Sequence, residues 1–263
     1  MSDNRPIGVL DSGVGGLSVL KEIKSSLPKE SIVYFADNLH CPYGTKSVEE
    51  LREITKRVIE FLLKKNCKLI VIACNSITSV FIEELRKDYK IPFIGIEPAT
   101  LVAARQTKNH KIGVLATKTT LKSKLFNKTK EKVTSDVKVE LKIGAGLVEL
   151  VEEGELDGKR AIAVVKENLR GFKKKDVDQV VLGCTHYPFL LDVMKKELAS
   201  CEFINPALAV SKQIEKTLRI KKLTKTEKDS IYEIYFSKEC DGLGKLLRKV
   251  GICPTVFEKK VIF

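Results

Sequence analysis

Residues 68–76 read KLIVIACNS and residues 178–186 read DQVVLGCTH, and these two stretches of the chain share one pattern. Each is a run of mostly apolar, β-forming residues that ends in a cysteine, Cys74 or Cys184, followed by hydrogen-bonding side chains. Such runs are typical of the buried strands of a parallel sheet. Because ligands bind beyond the carboxyl ends of these strands, we predict that both thiols lie where chemistry takes place.

The two stretches belong to an internal repeat. The cysteines are 110 residues apart, and three further strand-like segments recur in the same order at offsets of 105 or 110 residues. They are IGVLDS at 7–12 with IGVLAT at 112–117, SIVYF at 31–35 with DVKVE at 136–140, and FI at 93–94 with FI at 203–204. Four matches in register are far stronger evidence of duplication than any one short apolar match.

The repeat, with its alternation of strand-like and helix-like segments, predicts an α/β fold. We expect two similar half-domains related by a pseudo-two-fold repeat, each with a mainly parallel sheet flanked by helices, and an active site between them. Residues 1–97 together with 207–263 are predicted to form the half-domain of Cys74. Residues 98–206 are predicted to form the half-domain of Cys184.

Local signals predict individual elements. The capping box Ser47-Val48-Glu49-Glu50 predicts a helix after Ser47, and apolar spacing predicts another over residues 159–172. The tail after about Pro206 is predicted to be helical and to pack back on the first half. Predicted strands lie near residues 6–10, 31–36, 68–73, 91–96, 111–115, 136–142, 178–183 and 201–205.

Composition limits the class of protein. A hydrophobic content of 43% is enough for a core, and no apolar stretch approaches the ~20 residues that span a membrane. The polar N-terminus gives no sign of a secretory signal. Seven cysteines without a C-x-x-C pair argue against a disulfide framework and against a zinc or other metal site. We therefore expect a protein of the reducing cytoplasm.

The formal net charge of +13 allows two interpretations. A basic patch would indicate nucleic-acid binding, but the lysine clusters at 173–175 and 221–228 lie in predicted loops without interleaved aromatic residues. A solvated basic surface is therefore favoured over a nucleic-acid site. The positive field would also attract an anionic substrate.

Residues 11–17, DSGVGGL, follow the first predicted strand and open a helix. Glycines at such a turn let backbone N–H groups approach an anion. The stretch is not a P-loop, and Ser18 stands where a full G-x-G-x-x-G motif has its third glycine. A tight turn would explain the glycines alone, but the carboxylate of Asp11 at a strand end favours a functional loop.

The loop after the second predicted strand carries a mixture of groups. Tyr43 and Gly44 offer a hydroxyl and a backbone N–H on a loop, where binding groups usually lie. Asp37 is interpreted as a local cap, His40 as a surface residue and Cys41 as a loop cysteine.

The residues that follow the two thiols are also paired by the repeat. Asn75 is equivalent to Thr185, and Ser76 is equivalent to His186. A single cysteine after an apolar strand is usually a small buried hydrophobe, but two at equivalent points indicate paired chemistry. Asp11 is equivalent to Ala116, so one thiol has a carboxylate nearby and the other a histidine.

Glu152 is a further candidate, although its position at the end of a predicted helix is typical of an exposed acid. The four cysteines that lack polar neighbours of this kind in the sequence are interpreted as structural; they are Cys67, Cys201, Cys240 and Cys253.

Together these motifs resemble the cofactor-independent aspartate/glutamate racemases. The matching segments are DSGVGG at 11–16, ADN at 36–38, PYG at 42–44, ACN at 73–75, LVE at 150–152 and GCTHYP at 183–188. His186 after Gly-Cys-Thr resembles the glutamate branch, because aspartate racemases typically carry a glutamate there. The chain departs from the family pattern at Ser76 and Ile77, where threonine and alanine are usual, and at residues 144–149, where a Cys-Pro-rich segment is common.

The resemblance implies interconversion of L- and D-glutamate by two bases without a cofactor. It implies that Cys184 deprotonates L-glutamate, that Cys74 deprotonates D-glutamate, and that Asp11, His186 and Glu152 assist them. In a bacterium the D-glutamate would supply peptidoglycan synthesis. The implied substrate-binding residues are Asp11, Ser12, Tyr43, Gly44, Asn75, Ser76, Thr185 and His186.

Three alternatives stay open. The substrate could be aspartate or another acidic amino acid. Cys184 and His186 could form a nucleophile–base pair for acyl transfer, although residues two apart on a tight turn rarely pair and this leaves Cys74 unexplained. The chain could also be a basic nucleic-acid-binding protein, which leaves the repeat unexplained. A homodimer is compatible with the resemblance.

Overall fold

The computed structural model describes residues 3–227 and 229–259. Within these residues the strands form two sheets in which the neighbouring strands are parallel. The strands are β1 (Ile7–Asp11), β2 (Ile32–Ala36), β3 (Leu69–Ile72), β4 (Phe93–Gly95), β5 (Lys111–Ala116), β6 (Lys138–Ile143), β7 (Gln179–Gly183), β8 (Glu202–Ile204), β9 (Tyr232–Phe236) and β10 (Val256–Lys259). Their order is β10-β9-β2-β1-β3-β4 in the first sheet and β6-β5-β7-β8 in the second.

Helices connect the strands, as parallel pairing requires. The helices are α1 (Leu17–Ser26), α2 (Val48–Lys64), α3 (Asn75–Asp88), α4 (Thr100–Gln106), α5 (Lys118–Lys122), α6 (Lys124–Lys130), α7 (Leu147–Glu152), α8 (Lys159–Lys174), α9 (Leu191–Glu197), α10 (Ala207–Ile220) and α11 (Leu243–Val250). The predicted capping box is present at the start of α2, where Ser47 and Glu50 bond each other's backbone N–H. None of the helices in the described ranges is long and apolar enough to cross a membrane.

The predicted α/β fold with its internal repeat is confirmed. The order β2-β1-β3-β4 in the first sheet matches β6-β5-β7-β8 in the second, strand for strand. The first central strand, β1, lies beside β3, and its counterpart β5 lies beside β7. Cys74 and Cys184 therefore follow equivalent strands. The half-domain boundaries near residues 97 and 206 stay a prediction.

The prediction of an entirely helical tail is wrong. Helices α10 and α11 are present, but β9 lies between them and pairs with β2, and β10 extends the sheet beyond β9. The segment YEIYF at 232–236 is rich in the aromatic and β-branched residues that favour strands, and β2 offers it a free edge. The tail does pack back on the first half, because α10 also contacts α1.

A continuous apolar core joins the two halves. Val14, in the loop after β1, and Leu17, the first residue of α1, belong to the same buried cluster as Leu150 of α7 and Tyr187, which follows β7. This shared core fixes the glycine-rich loop of the first half against α7 and the end of β7.

Candidate active site

Both predicted thiols lie at the carboxyl ends of central strands and are almost completely buried. Cys74 follows β3 and is the N-cap residue of α3, with 5% of its surface exposed. Cys184 follows β7 and is 7% exposed. Neither forms a disulfide. Two free thiols at equivalent strand ends can each exchange a proton with a ligand bound between them.

The surroundings of Cys74 favour its neutral form. Burial raises the pKa of its thiol to about 12, and the charge of Asp11 acts in the same direction. The backbone N–H groups of Ile77 and Ser76 oppose this shift but do not overcome it. Cys74 is therefore a thiol at rest, ready to donate a proton, and it needs a proton acceptor before it can serve as a base.

The carboxylate of Asp11, the last residue of β1, is fully buried and links the two halves. Its Oδ2 accepts hydrogen bonds from the backbone N–H of Gly13 (3.2 Å) and of Gly16 (2.9 Å). Its Oδ1 accepts one from the hydroxyl of Thr185 (3.2 Å). Burial raises the pKa of Asp11 to about 6, although the charge of His186 and the two N–H groups act against this rise.

His186 lies between Cys184 and Glu152. Its Nδ1 is 3.7 Å from the sulfur of Cys184, and its Nε2 is 2.7 Å from Oε1 of Glu152. Residues two apart on a tight turn rarely pair, but Cys184 and His186 do form this contact. Burial acts to lower the pKa of His186, but hydrogen bonds to Cys184, Cys41 and Glu152 outweigh it and raise that pKa well above its ordinary value. The ring can pass a proton to or from Cys184.

Glu152 is not the exposed acid that its position in the sequence suggested. Its side chain is 17% exposed, and it accepts hydrogen bonds from the backbone N–H of Val14 (2.9 Å) and from Nδ2 of Asn38 (2.6 Å). Burial acts to raise the pKa of Glu152, but these bonds and His186 lower it on balance. The last residue of α7 points at the glycine-rich loop rather than at solvent, which sequence spacing alone does not reveal.

Two glycines of the DSGVGGL loop permit this close approach. A Cβ atom at Gly13 would overlap the carboxylate of Glu152, and one at Gly15 would overlap Nδ1 of His186. The loop is therefore more than a tight turn, because it carries Asp11 and Ser12 to the side chains of the second half.

A second set of contacts joins the halves on the Cys74 side. The hydroxyl of Ser76 is 3.0 Å from that of Thr117, and Thr119 donates a hydrogen bond to the backbone oxygen of Gly44 (2.9 Å). Sequence reasoning did not select Thr117 as a site residue. The repeat contained the signal, because Thr117 is the counterpart of Ser12.

Asp37 is a buried hydrogen-bond acceptor rather than a helix cap. It accepts from the hydroxyl of Tyr43 (2.6 Å) and from that of Ser237 (2.7 Å), and it contacts Nδ1 of His40. No side-chain cap bond joins Asp37 to the short helical turn that follows it. Tyr43 is itself buried, so its hydroxyl holds the loop in place in this structure.

Asn75 has a buried amide side chain that lacks a hydrogen-bond partner among the residues the structure describes. It is 2% exposed, and within the described residues neither its Oδ1 nor its Nδ2 forms a hydrogen bond. Buried polar groups are nearly always satisfied, so an exception marks a place where a ligand or water supplies the partner. Asn75 stands directly after Cys74, so the unsatisfied amide is adjacent to the thiol-bearing residue in the chain.

Two cysteines that were interpreted as unrelated to the site lie against Glu152. Cys240 donates from its sulfur to the backbone oxygen of Glu152 (2.8 Å) and approaches Oε2 (3.3 Å). Cys41, Glu152 and His186 bring donor atoms within 4.8 Å of one another. The interpretation of Cys41 as a plain loop cysteine and of Cys240 as a plain structural one is therefore wrong, because folding joins segments far apart in sequence.

The fold consists of two repeated α/β halves, each with a buried thiol at the end of a central strand. The profile of the Asp/Glu/Hydantoin racemase family matches residues 7–214. The chain belongs to this family of racemases.

Individual relatives agree with this assignment. The glutamate racemase of Pseudomonas paraeruginosa is 43% identical over 224 residues, which cover 84% of each chain. The crystal structure of glutamate racemase isoform RacE1 from Bacillus anthracis has a TM-score of 0.87 at 33% identity and covers 98% of this chain and 97% of its own. Glutamate racemase from Francisella tularensis, solved with D-glutamate, has a TM-score of 0.84 at 31% identity with the same two coverages.

Proposed function

We propose that this protein interconverts L- and D-glutamate, with Cys74 and Cys184 acting as the two bases. The observation that carries the proposal is the position of the thiols, at equivalent strand ends of a repeat, with a different proton-accepting group beside each. Glutamate is proposed over aspartate because relatives that are 42–43% identical over 84–85% of this chain are named glutamate racemases. In a bacterium its D-glutamate would be available to peptidoglycan synthesis in the cytoplasm.

Stereochemistry explains why two thiols are needed. Inversion at the α-carbon requires removal of the proton on one face and delivery of a proton on the other. A single base would have to move from one face to the other within each turnover, whereas one thiol from each half can face the α-carbon from opposite sides. Cys184 would deprotonate L-glutamate while Cys74 supplies the proton, and the roles would reverse for D-glutamate.

Each thiol has its own route to the thiolate. The carboxylate of Asp11 raises the pKa of Cys74 rather than lowering it, so Asp11 would assist as the acceptor of the Cys74 proton. On the other side His186 would exchange a proton with Cys184 while Glu152 holds the ring in place through Nε2. The α-proton is far less acidic than a thiol, so the site must also stabilise the carbanion with preorganised donors.

We assign the binding of the substrate's carboxylate and ammonium groups to eight residues. The unpartnered amide of Asn75 supports this assignment most directly, since a substrate carboxylate or ammonium would satisfy it. The proposed substrate-binding groups are Asp11, Ser12, Tyr43, Gly44, Asn75, Ser76, Thr185 and His186.

The experiment that tests the function is a racemisation assay on chelator-treated protein with no cofactor added. The circular dichroism signal of L-glutamate should decay to zero as the racemic mixture forms. The signal of D-glutamate should decay to the same end point. Turnover of L-aspartate should be at least about 100-fold slower. No change with glutamate and fast turnover of aspartate would replace glutamate by aspartate in the proposal.

The pH dependence should report Asp11. Because kcat/KM reflects ionisations of the free enzyme, it should fall about tenfold per pH unit below about pH 6, where Asp11 becomes protonated. The side chain of free glutamate has a pKa of about 4.3, so ionisation of the substrate does not cause this acid limb of the kcat/KM profile. Asp11→Asn should remove the limb and lower kcat/KM at pH 8 by about 100-fold. An unchanged limb in Asp11→Asn would contradict the assignment.

The same ionisation should appear in stability. The folded pKa of Asp11 lies above its ordinary value of 3.8, so its contribution to stability is complete below that value and is lost as the pH rises through about 6. Relative to wild type, Asp11→Asn should therefore gain up to roughly 3 kcal/mol in unfolding free energy between pH 4 and pH 8. Urea unfolding at the two pH values measures the difference.

Gly15→Ala should reduce kcat/KM by about 100-fold while the protein stays folded. The added Cβ would overlap Nδ1 of His186 and displace the ring from Cys184. Gly171→Ala, in α8, is the matched control: nothing lies within 4 Å of the new methyl group, so activity should be retained and stability should rise by about 0.5–1 kcal/mol. Full activity in Gly15→Ala would show that the loop does not constrain His186.

A further inference from the structure

A group of potential metal ligands lies at the outer edge of the active site. The sulfur of Cys41, a carboxylate oxygen of Glu152 and a ring nitrogen of His186 are within 4.8 Å of one another. Thiolate, imidazole and carboxylate are the three donors that zinc prefers. Around a tetrahedral zinc ion such donors are roughly 3.4–3.6 Å apart, so small side-chain movements would close the set on an ion.

Two neighbouring groups support a ligand at this place. The Oδ1 of Asn38 is buried and lacks a hydrogen-bond partner among the described residues, while its Nδ2 is bonded to Glu152. The sulfur of Cys240 lies 3.3 Å from Oε2 of the same carboxylate. The Oδ1 of Asn38 is an unsatisfied hydrogen-bond acceptor, and the sulfur of Cys240 is a further soft ligand. Both residues contact Glu152 of the proposed ligand group.

A cavity connects these groups to solvent. It has a volume of about 400 Å³, and Asn38, Cys41, Glu152 and Cys240 line it. Its described lining contains five carboxylate side chains and one lysine, in a chain whose formal net charge is +13. The cavity is thus a local acidic region in a basic protein, and its field favours a cation over an anion.

We infer that Cys41, Glu152 and His186 form a binding site for a zinc ion, with Cys240 or water as the fourth ligand, and that zinc inhibits the enzyme from this site. Binding displaces the thiol proton of Cys41 and one ring proton of His186, and both are released to solvent. The sequence concealed this site because its ligands come from three distant segments and contain no C-x-x-C spacing.

The inhibitory effect follows from the residues that the ion would occupy. Glu152 and His186 would coordinate the metal instead of supporting proton exchange with Cys184. Proton transfer on the face of the substrate next to Cys184 would therefore stop. This effect rests on the proposed function, whereas the binding itself does not. The metal-binding experiment can therefore fail while the racemisation assay succeeds, and the racemisation assay can fail while metal binding is observed.

Cobalt(II) serves as a spectroscopic probe of the binding. Reduced, chelator-treated protein should bind one Co²⁺ with a thiolate-to-cobalt charge-transfer band in the near ultraviolet, and added Zn²⁺ should displace it. Cys41→Ser should weaken binding by about 100-fold or more, since the loss of even an outer partner costs 10–100-fold. Cys253→Ser, which removes an exposed cysteine, should bind like wild type.

The outcomes distinguish binding of Co²⁺ at the proposed site from nonspecific binding at the protein surface. Absence of the band in wild-type protein, or its loss in Cys253→Ser with retention in Cys41→Ser, would overturn the inference. If Cys41→Ser does not fold, Glu152→Gln provides the test, and an unchanged Co²⁺ affinity in that variant would overturn the inference. In the racemase assay Zn²⁺ should inhibit wild type reversibly, with activity restored by EDTA, and the half-inhibiting concentration should be at least tenfold higher in Cys41→Ser.

Discussion

Replacing either Cys74 or Cys184 by alanine is expected to lower kcat/KM for glutamate by about 10⁴-fold, the upper end of the effect of a positioned proton-transfer group. Each thiol is needed in every turnover, because one removes a proton while the other delivers one. The double variant should therefore be little worse than either single variant. Initial rates by circular dichroism from both enantiomers measure the effect.

The chain provides a matched control for each substitution. Cys67 is buried and precedes β3, at the opposite end of the strand that leads to Cys74. Cys201 is buried and precedes β8, which pairs with β7. Alanine at Cys67 or Cys201 should cost stability but leave kcat/KM of the folded protein within about twofold. Comparable losses of activity in these controls would mean that buried thiols matter here only for folding.

The second large effect is expected at the His186–Glu152 pair. His186→Asn should reduce kcat/KM by about 10³-fold, because the proton partner of Cys184 is lost. Glu152→Gln should reduce it by about 10²-fold, because the ring loses its anionic partner at Nε2. Since both act through one ring, the double variant should resemble His186→Asn alone. Additive losses in kcat/KM would show that Glu152 acts independently of His186.

One thermodynamic constraint applies to the kinetics of all these variants. The two enantiomers of glutamate have equal free energies in water, so kcat/KM must be the same in both directions for every variant. A defect on one face can therefore change kcat and KM separately for L- and D-glutamate, but it cannot make the enzyme one-directional. Isotope exchange, rather than steady-state rates, separates the two faces.

The fold was largely predictable because its signals are local and duplicated. The apolar runs before Cys74 and Cys184 and the capping box at Ser47 each identify an element from a few adjacent residues. The repeat then indicates that the two sheets are built alike, while their strand order comes from the structure. Strand β9 escaped prediction because it has no counterpart in the second half and follows a lysine-rich loop.

The sequence predicts the site residues that lie at strand ends, but it does not predict the contacts between the two halves. Asp11 ends β1, while Cys74 and Cys184 follow β3 and β7, so their positions at the carboxyl edges of the two sheets follow from topology. The contacts of Glu152 with Val14 and of Cys240 with Glu152 depend on how one half packs on the other. No periodicity within either half encodes those distances.

The most direct test of two thiols on opposite faces is the fate of the α-hydrogen in D₂O. Wild-type protein should convert L-glutamate into D-glutamate that carries deuterium at Cα from the first turnovers, while the remaining L-glutamate keeps its protium. Chiral separation followed by mass spectrometry of each enantiomer makes the measurement. Product that retains the original protium would mean that a single base carries the proton across, and would contradict the account.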